Sequence, residues 1–196
     1  MAPEKTIPSD IFERYETHDH RHASTILAYD FPTEFGEVCD VLRRFRLTQD
    51  DILKPGGSQS SIPKQFSSLL RPLGWSESKL TARLMVEDEE VTHDTHKVDY
   101  VKGRVAFDLE WNSKDQTFDR DLFAFRSFFE FNRISVGILI TRSSGLQSVF
   151  KELGVGAKYG ASTTHMNKLL PRLKAGRSGG CPVLAFGITE RLIEGA

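Results

Sequence analysis

The chain has 196 residues, a length that suits one domain with a packed core, and its 39% hydrophobic and 27% charged residues are ordinary for a globular protein. No apolar run approaches the ~20 residues needed to span a bilayer, and residues 1–8 lack an apolar signal core, so we expect a cytoplasmic protein with no membrane partner. The net charge of −1 argues neither for nor against a nucleic-acid partner.

The first half of the chain is predicted to be mainly helical. Its predicted helices cover residues 9–16, 33–45 and 63–73. The second of these is the clearest, because apolar Phe35, Val38 and Leu42 recur at helical spacing. Residues 23–29 fit either a strand or the end of a helix. Residues 54–61 predict a loop by composition.

Two strands that turn back near Gly103 are predicted in the middle of the chain, after a strand over residues 80–86 and an acidic turn. On the second of the two, Val105, Phe107 and Leu109 alternate with polar or small residues, the period of a β-strand.

A helix over residues 117–131, capped by Thr117, and a buried strand over 134–141 complete a βαβ unit with that second strand. Helices near 145–152 and 162–174 and a last strand over 182–188 follow. The chain is therefore predicted to be a single α/β domain, residues 1–196, with a central mixed β-sheet flanked by helices.

Three acidic side chains are predicted to form the chemical site. Asp108 and Glu110 are two residues apart on one strand, so both leave the same face of the sheet. Asp99 reaches the same point if the chain turns back near Lys102 and Gly103. Three carboxylates at the end of a sheet make a hard oxygen site of the kind that Mg²⁺ prefers.

The alternation alone favours a simpler interpretation of Asp108 and Glu110. Polar residues most often alternate with apolar ones because one face of the strand meets solvent. The sequence around the pair decides between the two interpretations.

Residues 99–111 resemble the active-site segment of the BglII-type restriction endonucleases, members of the PD-(D/E)XK nuclease superfamily. The resemblance continues through Asp121-Leu-Phe and the segment 134–138, and it is visible upstream in residues 23–38 and 74–77. The last strand matches the closing strand of the family. Residues 22–188 therefore form a family-like core, with 1–21 as an N-terminal extension, and the resemblance implies a restriction-endonuclease-like fold.

The resemblance implies catalytic and metal-binding roles for the three carboxylates. Asp99 matches the first metal-binding aspartate, and Asp108 matches the acidic second position. Glu110 stands where the superfamily usually has lysine and this family often has glutamine; glutamate there is similar to BamHI-type enzymes. The residues leave two roles for Glu110 open, a base that accepts a proton from water or a metal ligand alone. Glu37 and Lys102 are candidates for supporting contacts behind the metal ligands.

Charge distribution is consistent with a DNA partner. Residues 142–177 carry seven basic side chains and one acidic one, whereas residues 87–99 are mainly acidic, although two solvated faces would give the same pattern. Two segments carry groups able to contact DNA, one after the catalytic strand and one leading into the helix from 162. The candidate DNA-binding residues are Asn112, Ser113, Lys114, Lys158, Ser162, Thr163, Thr164, Lys168 and Arg172.

The function implied is a Type II site-specific deoxyribonuclease that hydrolyses double-stranded DNA at a short palindromic site. The resemblance implies Mg²⁺ as cofactor, for which Mn²⁺ could substitute, and a homodimer. A cognate DNA methyltransferase would be its genetic rather than physical partner in a restriction-modification system. Two alternatives stay open: a nuclease of the same superfamily that repairs DNA or cuts modified DNA, and a non-catalytic DNA-binding module of the same fold.

Overall fold

The computed structural model describes residues 5–54 and 60–194. Its strands are β1 (Tyr15–His20), β2 (Ser76–Ser78), β3 (Thr81–Val86), β4 (Glu89–Asp94), β5 (Val98–Lys102), β6 (Val105–Glu110), β7 (Val136–Arg142) and β8 (Val183–Ile188). Six of them form one mixed sheet in the order β1-β8-β7-β6-β5-β2, and β3 pairs with β4 in a separate hairpin. The predicted α/β class with a central mixed sheet is confirmed.

Helices cover both faces of this sheet. They are α1 (Ser9–Arg14), α2 (Ala23–Asp30), α3 (Pro32–Arg44), α4 (Gln49–Leu53), α5 (Ser61–Leu70), α6 (Thr117–Glu130), α7 (Leu146–Glu152) and α8 (Met166–Lys174). Apolar residues of α3, α5 and α7 pack with Val105 and Phe107 on one face. Those of α6 and α8 pack with Ala106 and Leu139 on the other. Every residue of β6, β7 and β8 is buried, as expected for parallel strands covered on both faces.

The β6–α6–β7 unit that the sequence predicts is present. β6 and β7 pair in parallel, with Asp108 opposite Leu139 and Glu110 opposite Thr141. Helix α3 also begins and ends within one residue of its prediction, since Pro32 starts it and its apolar stripe faces the core. The ambiguous residues 23–29 belong to α2, whose buried Ala23 and Leu27 lie four residues apart on one side of the helix.

Three strands were not predicted, one of which is β2 (Ser76–Ser78), the antiparallel partner of β5 at the edge of the sheet. Residues 15–20 form β1 along β8, so the sheet begins inside the segment that the sequence assigned to an N-terminal extension. Residues 89–94, part of the predicted acidic turn, form β4 instead. The ion pair of Arg83 with Glu90 across β3 and β4 offsets part of the acidic charge there.

The starts of α5 and α8 and the cap of α6 also differ from prediction. Helix α5 begins at residue 61 rather than 63, at the last residue of the predicted loop. Helix α8 begins at residue 166 rather than 162, because residues 162–164 run alongside 113–115 and exchange backbone hydrogen bonds with them. Thr117 does not cap α6; it is the first helical residue, and its hydroxyl donates to the Lys114 carbonyl. Of the predicted loop over 54–61, residues 55–59 lie outside the described residues. No helix in the two described ranges is long and apolar enough to cross a membrane.

We predict that Gly137→Ala lowers the free energy of unfolding by about 1–3 kcal/mol. Gly137 lies in β7 beneath α6, and a Cβ there would be 2.5 Å from Phe125 Cδ2, closer than atoms can pack. Chemical denaturation measures the change. Gly36→Ala in α3 is the matched control, because its added Cβ meets nothing within 4 Å and alanine favours a helix. Equal effects of both substitutions would contradict the close packing of α6 on the sheet.

Candidate active site

Asp108 and Glu110 lie on the face of β6 that α6 covers. Both side chains are buried, with only 3% and 8% of the residue surface exposed. The solvent-facing interpretation of this pair is therefore wrong, because the helix that follows the strand packs back over it. A buried pair of like charges is costly unless a cationic group compensates it, so the position is typical of a site rather than of a surface.

Asp99 approaches the same point from β5, the antiparallel neighbour of β6. Its backbone N–H donates to Asp108 Oδ1 at 2.7 Å, and its own Oδ2 accepts a weak hydrogen bond from the Leu109 N–H at 3.4 Å. The chain reverses at Gly103, whose φ of +54° favours glycine. Asp99 is exposed, so it marks the solvent side of the site. The structure thus brings the three predicted carboxylates together.

A fourth carboxylate, that of Asp121, was not predicted to belong to the site. It lies on α6, is 3% exposed, and faces the sheet beside Glu110. The signal was present in the sequence, because Phe118, Leu122 and Phe125 define the buried stripe of that helix and Asp121 falls within it. We call Asp99, Asp108, Glu110 and Asp121 the carboxylate cluster.

Desolvation raises the pKa of every member of the carboxylate cluster, including Asp99, whose residue is exposed but whose carboxylate loses part of its hydration to the surrounding protein. The negative charges of Asp121 and Asp99 raise the pKa of Asp108 further, to well above its usual range. For Asp121, desolvation and then the charge of Glu110 raise the pKa to about 8. The cluster therefore binds protons more tightly than isolated carboxylates do, and a bound cation would compete for the same oxygen atoms.

Arg120 is the cation nearest to the carboxylate cluster in the ion pairs of the described residues. Its Nη2 lies 3.7 Å from Glu110 Oε1, and its Nε lies 3.4 Å from Asp121 Oδ1. The side chain is 45% exposed, so it borders solvent while its partners are buried. Arg120 precedes Asp121 on α6 and was not predicted to belong to the site.

The donor atoms of the carboxylate cluster fit a hard divalent cation. Asp108 Oδ2 and Asp121 Oδ2 are buried and lack a hydrogen-bond partner. Carboxylate oxygens are the ligands that Mg²⁺ prefers. In residues 5–54 and 60–194, however, no three His, Cys, Asp or Glu side chains are close enough to hold a metal ion as they stand. Side-chain movement would be needed to bring these oxygens onto one ion.

Glu37 and Lys102 lie away from the carboxylate cluster. Lys102 Nζ donates to Glu37 Oε1 at 2.5 Å, and the Trp75 indole donates to Glu37 Oε2 at 2.8 Å. Lys102 pairs with Val105, so both point to the face of the sheet opposite Asp108. Their predicted supporting contact with metal ligands is wrong, because the pleat of the sheet separates the two groups.

The two predicted DNA-binding segments lie side by side. Lys114 pairs with Thr163 in an isolated bridge, and the Thr164 N–H donates to the Ser113 carbonyl. Ser113, Lys114 and Ser162 are exposed next to the end of β6. Asn112 is half-buried, and its amide donates to the Lys158 carbonyl at 3.3 Å.

Several candidate DNA-binding side chains are engaged inside the protein. Thr164 is fully buried, and Lys158 Nζ donates to the Ile52 carbonyl at 2.8 Å and to the Lys54 carbonyl. The Thr163 hydroxyl donates to the Gly160 carbonyl at 2.7 Å instead of capping α8. Thr164 is therefore not available to DNA, and Lys158 serves to attach the residues around 158 to the end of α4.

Lys168 and Arg172 of α8 form ion pairs with acidic residues near the start of α6. Arg172 Nε lies 3.1 Å from Asp119 Oδ2, and both basic side chains lie within 4 Å of Asp115. Their charge is partly offset, so a DNA contact by either would compete with these pairs.

A model of the family described as Restriction endonuclease BglII/BglIII matches residues 15–188 of the chain. The matched range begins with the first residue of β1 and ends with the last residue of β8. It contains the whole carboxylate cluster and Arg120. No curated protein matches the chain.

We predict that Asp121→Asn stabilises the protein at pH 8 in the presence of a chelator. The folded state binds the Asp121 proton more tightly than the unfolded chain, so the free energy of unfolding should fall as pH rises from about 4 to about 8. Asparagine removes the contribution of Asp121 to this pH dependence, leaving that of the other three carboxylates, and should add on the order of 1 kcal/mol at pH 8. Thermal unfolding between pH 5 and pH 8 measures the effect. Asp30→Asn, at an exposed position, should leave the pH profile unchanged. If Asp121→Asn lowered the stability equally at every pH in this range, the charge of Asp121 would not be the cause of the stability change.

Proposed function

We propose a specific reaction for this chain, which belongs to the restriction endonuclease BglII/BglIII family and is therefore a DNA-cleaving hydrolase. The reaction is Mg²⁺-dependent hydrolysis of phosphodiester bonds at a short palindromic site in double-stranded DNA, the activity of a Type II restriction endonuclease. The observation that carries the proposal is the convergence of Asp99, Asp108 and Glu110 where β6 ends, at an edge open to solvent through Asp99.

Asp99, Asp108 and Glu110 are the residues that would hold the metal. When bound, Mg²⁺ stabilises negative charge on a phosphate and lowers the pKa of a coordinated water; Mn²⁺, which also accepts oxygen ligands, could substitute. The three carboxylates would supply negative charge whose burial already costs free energy in the folded protein, and a bound cation would offset that cost. Asp121 hydrogen-bonds Glu110 and would keep the Glu110 carboxylate in place.

Glu110 is the proton acceptor that we propose for the hydrolysis. A water oxygen forms a bond to phosphorus as the bond from phosphorus to the leaving sugar oxygen breaks. The proton of the water passes to the Glu110 carboxylate, and the leaving oxygen takes a proton from solvent. Without a bound cation, burial raises the pKa of Glu110 above its ordinary value, so its carboxylate accepts a proton more readily than an exposed one does.

Arg120 is proposed to take the place of the lysine that the nuclease superfamily usually has at the position of Glu110. It is the basic side chain that pairs with Glu110 and Asp121, and it is half-exposed, so it can turn toward a phosphate. A guanidinium hydrogen-bonds two phosphate oxygens at once and would stabilise charge that develops during cleavage.

A homodimer is the assembly that we propose, because a palindromic site presents two equivalent strands and a two-fold protein places one site on each. The cell would need a cognate DNA methyltransferase to protect its own sites in a restriction-modification system. The enzyme would act in the cytoplasm, where it meets DNA.

We predict that Asp108→Asn lowers cleavage by about 1000-fold or more but leaves duplex binding in a chelator intact. The expected loss reflects several kcal/mol of charge stabilisation that depends on the metal. Digestion of a plasmid mixture with Mg²⁺, with Mn²⁺ and with EDTA measures cleavage, and run-off sequencing identifies the cut site. Asp40→Asn, exposed on α3, is the control and should cleave normally. Wild-type protein that leaves varied DNA uncut with either metal would overturn the proposed function.

We predict that Arg120→Gln lowers the cleavage rate about 100-fold with little change in duplex affinity, as for the loss of one donor to a transition state. Arg126→Gln is the matched control, because Arg126 lies on the same helix, is 50% exposed, and pairs with Glu130 instead. Single-turnover cleavage separates the rate from binding. Equal rates for the two variants would exclude Arg120 from the reaction.

A further inference from the structure

Arg142, the last residue of β7, is a buried cation without an acidic partner in the part of the chain that the structure describes. Only 1% of its surface is exposed. Among residues 5–54 and 60–194, no carboxylate lies within 4 Å of its guanidinium. A buried charge is normally paired, because it loses its hydration on burial.

Neutral groups hold the Arg142 side chain in place. Its Nε donates to the Thr164 carbonyl at 2.7 Å, and its Nη2 hydrogen-bonds Thr163 Oγ1. The guanidinium also lies over the rings of Phe150 and Tyr159, 5.4 and 5.2 Å from their centroids. These contacts orient the group but supply no negative charge, and burial lowers the pKa of Arg142 to about 10.

A pocket of about 350 Å³ opens beside Arg142. Two basic or imidazole side chains line it with Arg142, namely Lys151 from α7 and His165 at the start of α8. Neutral residues complete the lining: Ser143, Ser144, Gln147, Ala161 and Asn167. Asn167, in the first turn of α8, lines the pocket, and its N–H donates to Ser144 Oγ at 3.3 Å. The N-terminus of a helix favours an anion, which would replace or extend this hydrogen bond.

Three carboxylates lie near the pocket, and none is paired with Arg142 among the described residues. Asp115, which lies near His165, pairs instead with Lys168 and Arg172. Glu16 accepts hydrogen bonds from Ser143 and from the backbone of Ser144. Glu190 lies close to Gly145. Glu16 and Glu190 therefore contact the segment after β7 and not the guanidinium, which stays without a carboxylate partner although Glu16 places negative charge beside the pocket-lining Ser143 and Ser144 in the described structure.

The pocket and the carboxylate cluster share one edge of the sheet. Glu110 ends β6 and pairs in register with Thr141, the residue before Arg142, and the Thr141 hydroxyl donates to the Glu110 carbonyl at 2.8 Å. Arg142 also contacts Thr163 and Thr164, which run alongside Ser113 and Lys114 after β6. A duplex lying across this edge would meet both sites.

We propose that this pocket binds a backbone phosphate of the DNA, with Arg142 and Lys151 as its cationic ligands and with Ser144, Gln147, His165 and Asn167 as surrounding polar groups. The proposal rests on the proposed function, since it takes duplex DNA as the substrate. It adds an anchoring phosphate, distinct from the scissile one, that fixes how the duplex lies on the protein.

The test is the salt dependence of duplex binding, measured in EDTA so that no cleavage is required. Wild-type protein and Lys151→Gln are titrated with a 20-base-pair duplex of mixed sequence over a range of NaCl concentrations. Loss of one phosphate contact should reduce the slope of log K against log salt by about 0.9 and weaken binding several-fold on every sequence. Lys64→Gln, an exposed lysine on α5, is the control and should match wild type.

A second measurement separates binding from structural support by Arg142. Sodium phosphate should raise the unfolding temperature of wild type above its value in sodium chloride at equal ionic strength. Arg142→Lys should lose most of this increment as well as some stability. If Arg142 were only structural, the variant would melt earlier but keep the phosphate increment, and that result would overturn the proposal.

The two outcomes also distinguish DNA from free phosphate as the ligand. Stabilisation by phosphate with identical salt slopes for wild type and Lys151→Gln would show an anion site that DNA does not use, and would overturn the proposal. The binding result stands whether or not the protein cleaves, so a failure of cleavage with a changed slope would count against the proposed function alone.

Discussion

The candidate site depends on the burial of several like-charged carboxylates between β6 and α6. Desolvation and mutual repulsion raise their pKa values, so the arrangement opposes folding at neutral pH unless protons or a cation offset it. Apolar contacts of the same helix with the sheet hold it closed over them: Phe118, Leu122 and Phe125 are all fully buried. Packing of the surrounding core therefore offsets the unfavourable free energy of burying these carboxylates. Functional sites commonly destabilise a protein in this way.

The helices and strands whose apolar residues recur with a clear period could be predicted from the sequence. Those that form because a distant segment supplies their backbone hydrogen bonds could not. The stripe of α3 predicts a helix and its buried face, and the alternation of β6 predicts a strand, although both faces of that strand are buried. By contrast, β1 carries the sequence Tyr-Glu-Thr-His-Asp-His, which has little apolar character, and it is a strand because β8 offers it a complete antiparallel partner. Residues 162–164 are excluded from α8 for the same reason, since the segment after β6 takes their backbone hydrogen bonds.

The candidate site shows a similar division. Spacing on a single strand brings Asp108 and Glu110 together, and one reversal of the chain adds Asp99. Asp121 and Arg120 come from a helix, and only the packing of that helix onto β6 decides that they belong to the same site. The distribution of charged residues along the sequence predicted the DNA-binding surface less well than spacing predicted the carboxylate site. The basic residues after 141 do not form one surface, because Arg142 is buried, Lys158 binds backbone carbonyls, and Arg172 pairs with Asp119.

The parallel register of β6 and β7 explains why sites of opposite charge lie so close together. Side chains of paired residues in parallel strands share a face, and the next residue along either strand takes the other face. Glu110 and Thr141 therefore face α6, whereas Arg142 turns toward Phe150 and Tyr159 on the other side. The sheet itself separates the anionic and cationic groups, which would otherwise neutralise each other. Each keeps its charge for a ligand, and a polyanion with bound divalent cations is the kind of ligand that could satisfy both.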